Sequence, residues 1–465
     1  VFVRKKNWKI GAANNNTKGG CEIMQIIESS DNVIESPQSA DQGSDATALQ
    51  SAIRKVTWRT IPLLSLAFLF NYLDRTSVGF AAITMRHDIG LSATQFGYGA
   101  GIMFATYCLF EVPSNLALHK FGGRRWLARI MISWGLAAAA TAFVVGPQSF
   151  YAVRLLLGTA EAGFYPGVLY YLTIWFPKEY RTRAFSWFAV AVPVSSLVGG
   201  PLSAWLLHLD GVGGLAGWQW MFIIEGLPAT ILGFFILAML SDVPEKASWL
   251  SEEERNALTA RLSADAQGSS SRHRFLPVLR DPRVYILALT SFSFTLASYG
   301  LGIWLPQIIS GFGVSTYVVG WLSAIPYLFG TAGLLAWAAY VDRRGRRMLH
   351  VALACGMAAV ALALSGAFSS LRALMVVMTV AVVGISSARV IFFTIPSLFL
   401  RGEAAAGGLA LINCIGALGG WAGPYMLGYL LDRSGSFRSG LFAISGVMLF
   451  AAALPLSLRI MLKDE

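Results

Sequence analysis

Charged residues are scarce in this sequence. Only 13% of its 465 residues are Asp, Glu, Lys or Arg, against about 25% in a soluble domain. A chain so poor in charge cannot keep a large surface in water. Cysteine is scarce too: Cys21, Cys108, Cys355 and Cys414 are the four. None falls in a CxxC or Cys/His spacing, so no metal site and no cofactor is expected, and the thiols are read as free, small apolar residues. The chain has no P-loop, no HExxH and no GxSxG, which removes the sequence signatures of common soluble enzymes. Gly211-Val212-Gly213-Gly214 falls in a short loop and does not read as a nucleotide site. An enzyme is not expected.

Apolar residues are abundant instead. They make up 55% of the chain, the mean hydropathy is +0.58, and Gly occurs 47 times. A helix needs about 20 mostly apolar residues to cross the hydrocarbon core. Twelve runs qualify, at roughly 61–83, 95–118, 126–146, 150–175, 185–208, 218–240, 283–309, 316–340, 348–367, 373–396, 405–430 and 438–460. Lipid offers the backbone no hydrogen-bond partner, so these runs are expected to be helices. The fold class is therefore all-α integral membrane.

The net charge of +11 would suggest nucleic acid in a soluble protein. Here the basic residues sit in alternate short loops, as Arg54, Lys55 and Arg59, then Lys120, Arg124, Arg125 and Arg129, then Lys178, Arg181 and Arg183, then Arg343, Arg344, Arg346 and Arg347. The positive-inside rule places those loops and both termini in the cytoplasm, and no nucleic-acid partner is expected. Residues 1–53 are polar and read as a disordered cytoplasmic tail. They begin at Val1, with Met24 an alternative start. The segment 241–281, with Glu252-Glu253-Glu254 and Ser269-Ser270-Ser271, reads as a cytoplasmic linker between a six-helix half at 54–240 and another at 282–465.

The halves share short patterns. Gly123-Arg124-Arg125 recurs 222 residues later as Gly345-Arg346-Arg347, and Gly200-Pro201 recurs 223 later as Gly423-Pro424. A duplicated unit with a site between its copies is a transporter architecture.

Ionisable residues inside a membrane need a partner or a wet cavity. Span one holds Asn71-Tyr72-Leu73-Asp74-Arg75, and span four holds Arg154, Gly158, Glu161 and Tyr165 at i, i+4, i+7 and i+11, one stripe of a continuous helix. Asp74 and Glu161 are read as proton carriers, Arg75 as a contact for an anionic substrate, and Arg154 as a partner that Glu161 gains and loses between states. Static ion pairs are the alternative. Glu111 is read as structural, and Glu225, beside Trp218 and Trp220, as interfacial or structural. Adding the repeat offset to Asp74, Arg75, Arg154 and Glu161 lands on apolar residues, so proton coupling is assigned to the first half. Tyr299, Gln307, Arg389 and Asn413 of the second half are expected to shape the substrate pocket. The loop charges Arg124, Arg125, Asp342, Arg343, Arg346 and Arg347 suit a gate as well as topology.

These residues resemble a known family. Asn71-Tyr72-Leu73-Asp74-Arg75, Glu111-Val112-Pro113-Ser114-Asn115, and the run from Arg154 through Glu161-Ala162-Gly163-Phe164-Tyr165-Pro166-Gly167 are similar to motifs of the major facilitator superfamily, in its anion:cation symporter branch. Gly217-Trp218-Gln219-Trp220-Met221-Phe222 with Glu225-Gly226 looks closest to tartrate- and phthalate-type permeases. The resemblance covers about 55–460. It implies two six-helix halves, proton-carrying roles for Asp74 and Glu161, substrate-cavity roles for Arg75 and Tyr107, with Tyr72 and Asn71 beside them, and a pairing role for Arg154. It also implies a monomeric inner-membrane symporter for a small organic carboxylate. An antiporter or exporter of organic anions, or a non-transporting receptor, are the rivals. Where some relatives carry a span-seven arginine this chain has Ser298 and Tyr299, and span five reads Ala191-Val192-Pro193, which speaks mildly against a heavily hydroxylated sugar acid.

Overall fold

The computed structural model describes residues 37–267, 280–368, 370–400 and 403–462, and among them the regular structure is helical. The first half comprises α1 (Pro37–Asp88), α2 (Ala93–Phe121), α3 (Gly123–Ala140), α4 (Pro147–Glu161), α5 (Phe164–Trp175), α6 (Lys178–Ala189), α7 (Ala191–Leu207) and α8 (Gly217–Met239). After α9 (Glu252–Gln267) come α10 (Pro282–Ser310), α11 (Thr316–Arg344), α12 (Arg347–Ser365), α13 (Leu371–Phe392), α14 (Glu403–Ser434) and α15 (Phe437–Leu462). Among the described residues, nine helical segments are long and apolar enough to cross a membrane by themselves. α1, the α4–α5 pair and α14 supply the remaining spans of the two six-helix halves. Apolar side chains such as Leu109, Leu116, Val376 and Leu449 are more than 60% exposed, as a lipid-facing surface requires.

Polar residues at the ends stop and start the helices. Ser92 caps α2, accepting from the Gln95 N–H while the Gln95 side chain accepts from the Ser92 N–H. Asp281 caps α10 through the Arg283 N–H at 2.9 Å. Each such cap satisfies donors that a helix start leaves open.

The expected fourth span is broken in the middle. α4 stops at Glu161, and Gly163 turns the chain with φ 84°, a conformation in which a side chain would be strained. A Cβ there would also lie 2.5 Å from the Ser114 hydroxyl. Pro166 sits in the first turn of α5, where a missing N–H is tolerated. Tyr165 therefore does not continue the stripe of Arg154, Gly158 and Glu161, because the helix restarts between them.

Part of the expected tail is helix. α1 begins at Pro37, and Ala52 and Ile53 are buried with Val56 in the same cluster as Leu258 of α9. The tail proposed for residues 1–36, with Cys21 and Met24, lies outside the described residues, as does 268–279 of the linker. Within the linker, α9 is strapped to the first half. Lys55 donates to Glu254 at 2.8 Å, Ser51 at 2.7 Å and the Ser251 N–H at 2.9 Å, while Asp265 accepts from the Lys178 N–H at 2.8 Å.

Partial burial pushes the Glu254 carboxyl upward, but Lys55, Ser51 and Ser251 outweigh it and hold the group down at about 2. A depressed carboxyl contributes stability that is present above its unfolded value of 4.5 and lost as the pH falls toward 2. The protection of α9 amides, taken relative to the intrinsic exchange rate at each pH, is therefore expected to be unchanged from pH 7 to 5 and to fall below 4.5. In Glu254→Gln that acid-dependent step should be lost, and exchange should be faster already at pH 7.

The two halves meet at the end of the bundle that carries the α1–α2 turn. The Gly79 backbone packs on the Ile303 carbonyl, where a Cβ would lie 2.5 Å from the oxygen. Arg86 donates to Gln307 at 3.0 Å with its guanidinium 5.5 Å from the Trp304 ring, and the Gly97 backbone packs on the Pro424 carbonyl. Asp432 of α14 accepts from the Ala93 N–H, the Thr94 N–H and the Thr94 hydroxyl at 3.0, 2.7 and 2.6 Å. Gln307 thus belongs to this seal and not to the pocket expected for it, because it lies two turns beyond Tyr299 along α10. Farther down the α2–α14 seam a disulfide joins Cys108 to Cys414, with Cα atoms 5.4 Å apart. This corrects the expectation of free thiols for that pair; Cys355 is free and buried.

Candidate functional site

Beyond that seam the halves part, and Phe110 and Tyr165 are 40% and 43% exposed. Arg75, Tyr107, Tyr299 and Arg389 are half-buried where the halves face each other near the α4 break, and their exposed edges line a cavity there. Glu161 is fully buried at the last residue of α4. Its Oε1 accepts from Asn71 Nδ2 at 2.8 Å, from Arg75 Nε at 2.8 Å and also from Arg75 Nη2. Asn71 and Arg75 are one turn apart on α1, so they present to α4 together. A hydrogen bond to a charged partner contributes about 1.5–3 kcal/mol, so parting Glu161 from Arg75 requires a proton or a competing anion.

Asp74 points the other way round α1. It is buried, and Trp134 Nε1 of α3 donates to its Oδ2 at 3.1 Å. The two carboxylates read as a pair thus occupy different faces of α1, with Arg75 turned to the cavity and Asp74 into the half's own core.

Arg154 is unpaired with either carboxylate in this state. It is buried, its Nη2 donates to the Ala100 carbonyl at 3.3 Å and contacts Met103 Sδ at 3.0 Å, and its Nε and Nη1 have no partner among the described residues. No ion pair joins it to Glu161 or Asp74 here, because Arg75 and Trp134 already hold those carboxylates. Both remain within its electrostatic range.

The second half closes the cavity with an aromatic and cationic wall. Arg75 Nη1 donates to the Tyr299 hydroxyl of α10 at 2.9 Å, and its guanidinium lies 5.3 Å from the Tyr107 ring and 5.7 Å from Phe104. Arg389 of α13 lies near the hydroxyls of Tyr72, Tyr299 and Tyr165. Among the described residues no carboxylate lies within ion-pair distance of Arg389. Arg75, Tyr72, Asn71, Tyr107, Tyr299 and Arg389 are therefore brought together. Asn413 is not tied to them; its side chain is exposed beside Cys414 on α14. Glu111, read as structural, lies near enough to Arg75 and Tyr107 to act on their charge.

The loop charges stay within their own halves. The Arg124 N–H donates to Asp242 Oδ1 at 3.0 Å and its side chain to the Leu237 carbonyl at 2.6 Å. Arg347 reaches the Thr394 carbonyl at 3.4 Å, while Asp342, Arg343 and Arg346 are exposed. Asp242 supplies the acid that the Gly122–Arg125 loop lacks, from a position sequence pattern does not link to it. Asp432, Trp134 and Cys108–Cys414 were equally invisible, since each partner lies on a different helix.

Two helical halves around a midplane cation cluster define a carrier architecture, and similarity to known proteins agrees. The family model of the Major Facilitator Superfamily matches residues 64–424. The chain belongs to that superfamily. A putative tartrate transporter of Agrobacterium vitis is 47% identical over 407 residues, covering 87% of this chain and 91% of that protein. A quinolone resistance transporter of Acinetobacter baumannii is 43% identical, covering 87% and 94%. The putative metabolite transport protein NicT of Pseudomonas putida is 41% identical, covering 87% and 93%. Among solved structures, a bacterial homolog of the human lysosomal transporter Spinster, inward-facing and unoccupied, aligns with a TM-score of 0.73 at 16% identity over 89% of this chain and 98% of that one. The xylose transporter XylE of E. coli, partially occluded and inward open, gives 0.68 at 13% identity, covering 87% and 98%. This superfamily member is a membrane transporter of small molecules and not an enzyme.

Proposed function

We propose that the chain is a proton-coupled symporter that imports a small organic carboxylate, tartrate-like in size and charge, across the inner membrane by alternating access, working as a monomer. The observation that carries this reading is the contrast between two arginines across one cavity. Arg75 is held by buried Glu161, whereas Arg389 opposite lies near the phenols of Tyr72, Tyr299 and Tyr165 and has no carboxylate within ion-pair distance among the described residues. A substrate carboxylate is drawn to Arg389 first. Protonation of Glu161 then frees Arg75 for the same anion, so proton and substrate load together. Asp74, near Arg154 and behind Arg75, takes part in passing that proton on. The similarity to a protein named as a tartrate transporter supports the substrate class.

The sealed end bears the α1–α2 turn, and the open end bears Arg124, Arg125 and Arg343–Arg347. The positive-inside rule sets the open end in the cytoplasm, so the structure is read as inward-facing with both chain termini cytoplasmic.

Uptake into proteoliposomes tests the proposal, with labelled tartrate, phthalate, galactonate, glucarate and a neutral sugar, with and without an inward proton gradient. Gradient-stimulated uptake of an acid and none of the sugar is the expected result. The similarity to a protein named for quinolone resistance favours one second reading, export of an organic anion, and stimulation by an outward-driven gradient instead would select it.

Alternating access requires α2 and α14 to move apart. The Cys108–Cys414 bond spans those helices, so transport is expected to be suppressed in the oxidised protein and restored by a thiol reductant. Cys108→Ser should transport equally with and without the reductant.

A further inference from the structure

Glu225 sits where the transport reading leaves it without a task. It lies mid-way along α8, 2% exposed, and not at the membrane interface where its neighbours Trp218 and Trp220 suggested it. Its Oε1 accepts from the Ser203 hydroxyl of α7 at 3.3 Å, and its Oε2 has no partner among the described residues. The Ser77 hydroxyl of α1 also reaches the carboxyl and donates to the Asp74 backbone carbonyl at 3.0 Å. Asp74 itself is close enough for the two carboxyls to sense each other's charge.

Among the described residues, the groups that act on Glu225 are acids and hydroxyls, with no cation among them. From α1 come Asp74 and Ser77, with Asp88 farther out against Trp218 Nε1 at 2.8 Å. From α7 come Ser203 and His208, whose ring is bonded to the Ala204 carbonyl. α3 meets this part of α8 through Gly135 and Ala139, packed on Gly226. Its cations Arg124, Arg125 and Arg129 lie at the other end, Arg124 on the Leu237 carbonyl, Arg125 exposed and Arg129 over Trp126. A buried carboxylate without a cation costs several kcal/mol; the same group as a neutral acid does not.

We propose that Glu225 is a third proton-binding site of the coupling machinery, exchanging one proton with Asp74 past Ser77 from the core side of α1. The proton leaves the Glu225 carboxyl as Asp74 receives it, leaving one neutral acid and one anion as before. The anion is then Glu225, or Asp74 beside Arg154, according to the state of the carrier. Glu225 lies on the same side of Asp74 as the sealed end, because Ser77 is the next turn of α1 in that direction. This gives a path by which a proton entering from that side reaches Asp74 without crossing the substrate cavity. The inference rests on the symport reading above.

The experiment compares wild type, Glu225→Gln and Ser203→Ala in proteoliposomes with the acid found to be transported. Three quantities are read: gradient-driven uptake, substrate exchange without a gradient, and the pH profile of driven uptake. For Glu225→Gln the ratio of driven uptake to exchange is expected to fall about ten-fold or more, with a displaced pH profile. Ser203→Ala, which removes one hydrogen bond and no titrating group, should displace the profile in the same sense by a smaller amount. An unchanged ratio and profile in Glu225→Gln overturn the inference and leave symport standing. An equal loss of driven uptake and exchange, with no shift in profile, marks a structural residue and also overturns it. Should Glu225→Gln fail to fold, an unshifted profile in Ser203→Ala decides against the proposal. Wild type without proton-driven uptake removes both this inference and the symport reading.

Discussion

Glu161→Gln is expected to abolish proton-driven accumulation while substrate exchange persists. Glutamine keeps the acceptor oxygen that Asn71 Nδ2 meets at 2.8 Å and removes the charge that holds Arg75. The side chain then resembles the protonated acid in every state. Arg75 is permanently released to the cavity, so substrate can bind and swap, but its binding no longer requires a proton. Tracer uptake against a concentration gradient, set beside tracer exchange at equal pH, separates the two. Full accumulation by this variant would remove Glu161 from the coupling mechanism.

Arg389→Gln should show the opposite pattern. It removes the cavity cation that has no acidic partner among the described residues, and leaves Glu161, Arg75 and Asp74 untouched. Truncating one member of a buried charge pair costs about 2–5 kcal/mol, which corresponds to a loss in affinity of roughly 30-fold or more. The KM for the acid is expected to rise by that order at every pH, with the pH dependence of driven uptake unshifted. Arg389→Lys should recover only part, since an ammonium lacks the planar fork that meets a carboxylate at two points. An unchanged KM in Arg389→Gln would mean that the substrate is held by Arg75 alone.

These two outcomes bear on how the site could be read before any coordinates. Long apolar runs gave the spans, because lipid imposes one length and one backbone solution on all of them. The cluster of Asn71, Arg75 and Glu161 was legible as residue types out of place in a membrane. Their pairing was not. A stripe on one helix favours Arg154 as the partner of Glu161, and periodicity carries no information about which residue of another helix intervenes. The α4 break was hidden for a related reason. Gly163 looks like any small residue at a helix crossing until its φ of 84° is known. Glu225 was misplaced because its flanking tryptophans mimic an interfacial belt, whereas Gly226 packing on α3 draws that stretch of α8 inward. Cys108 and Cys414 lie 306 residues apart, a separation at which nothing in a single sequence signals contact.

Asp432 does more than close a seam. The first turn of α2 carries about half a positive charge from its aligned peptide dipoles, and this acid from the opposite half answers it. Under the proposed cycle, turning the cavity to the outside strips that helix of its counter-charge and leaves its donors to water. Losing such a cap costs about 1 kcal/mol, close to five-fold in a two-state population. An idle carrier is therefore biased to wait with its cavity toward the cytoplasm. The outward-facing form is the minor one, drawn out of the ensemble by the substrate and proton that arrive there, and raising the external salt, which screens the dipole, should make that excursion more frequent.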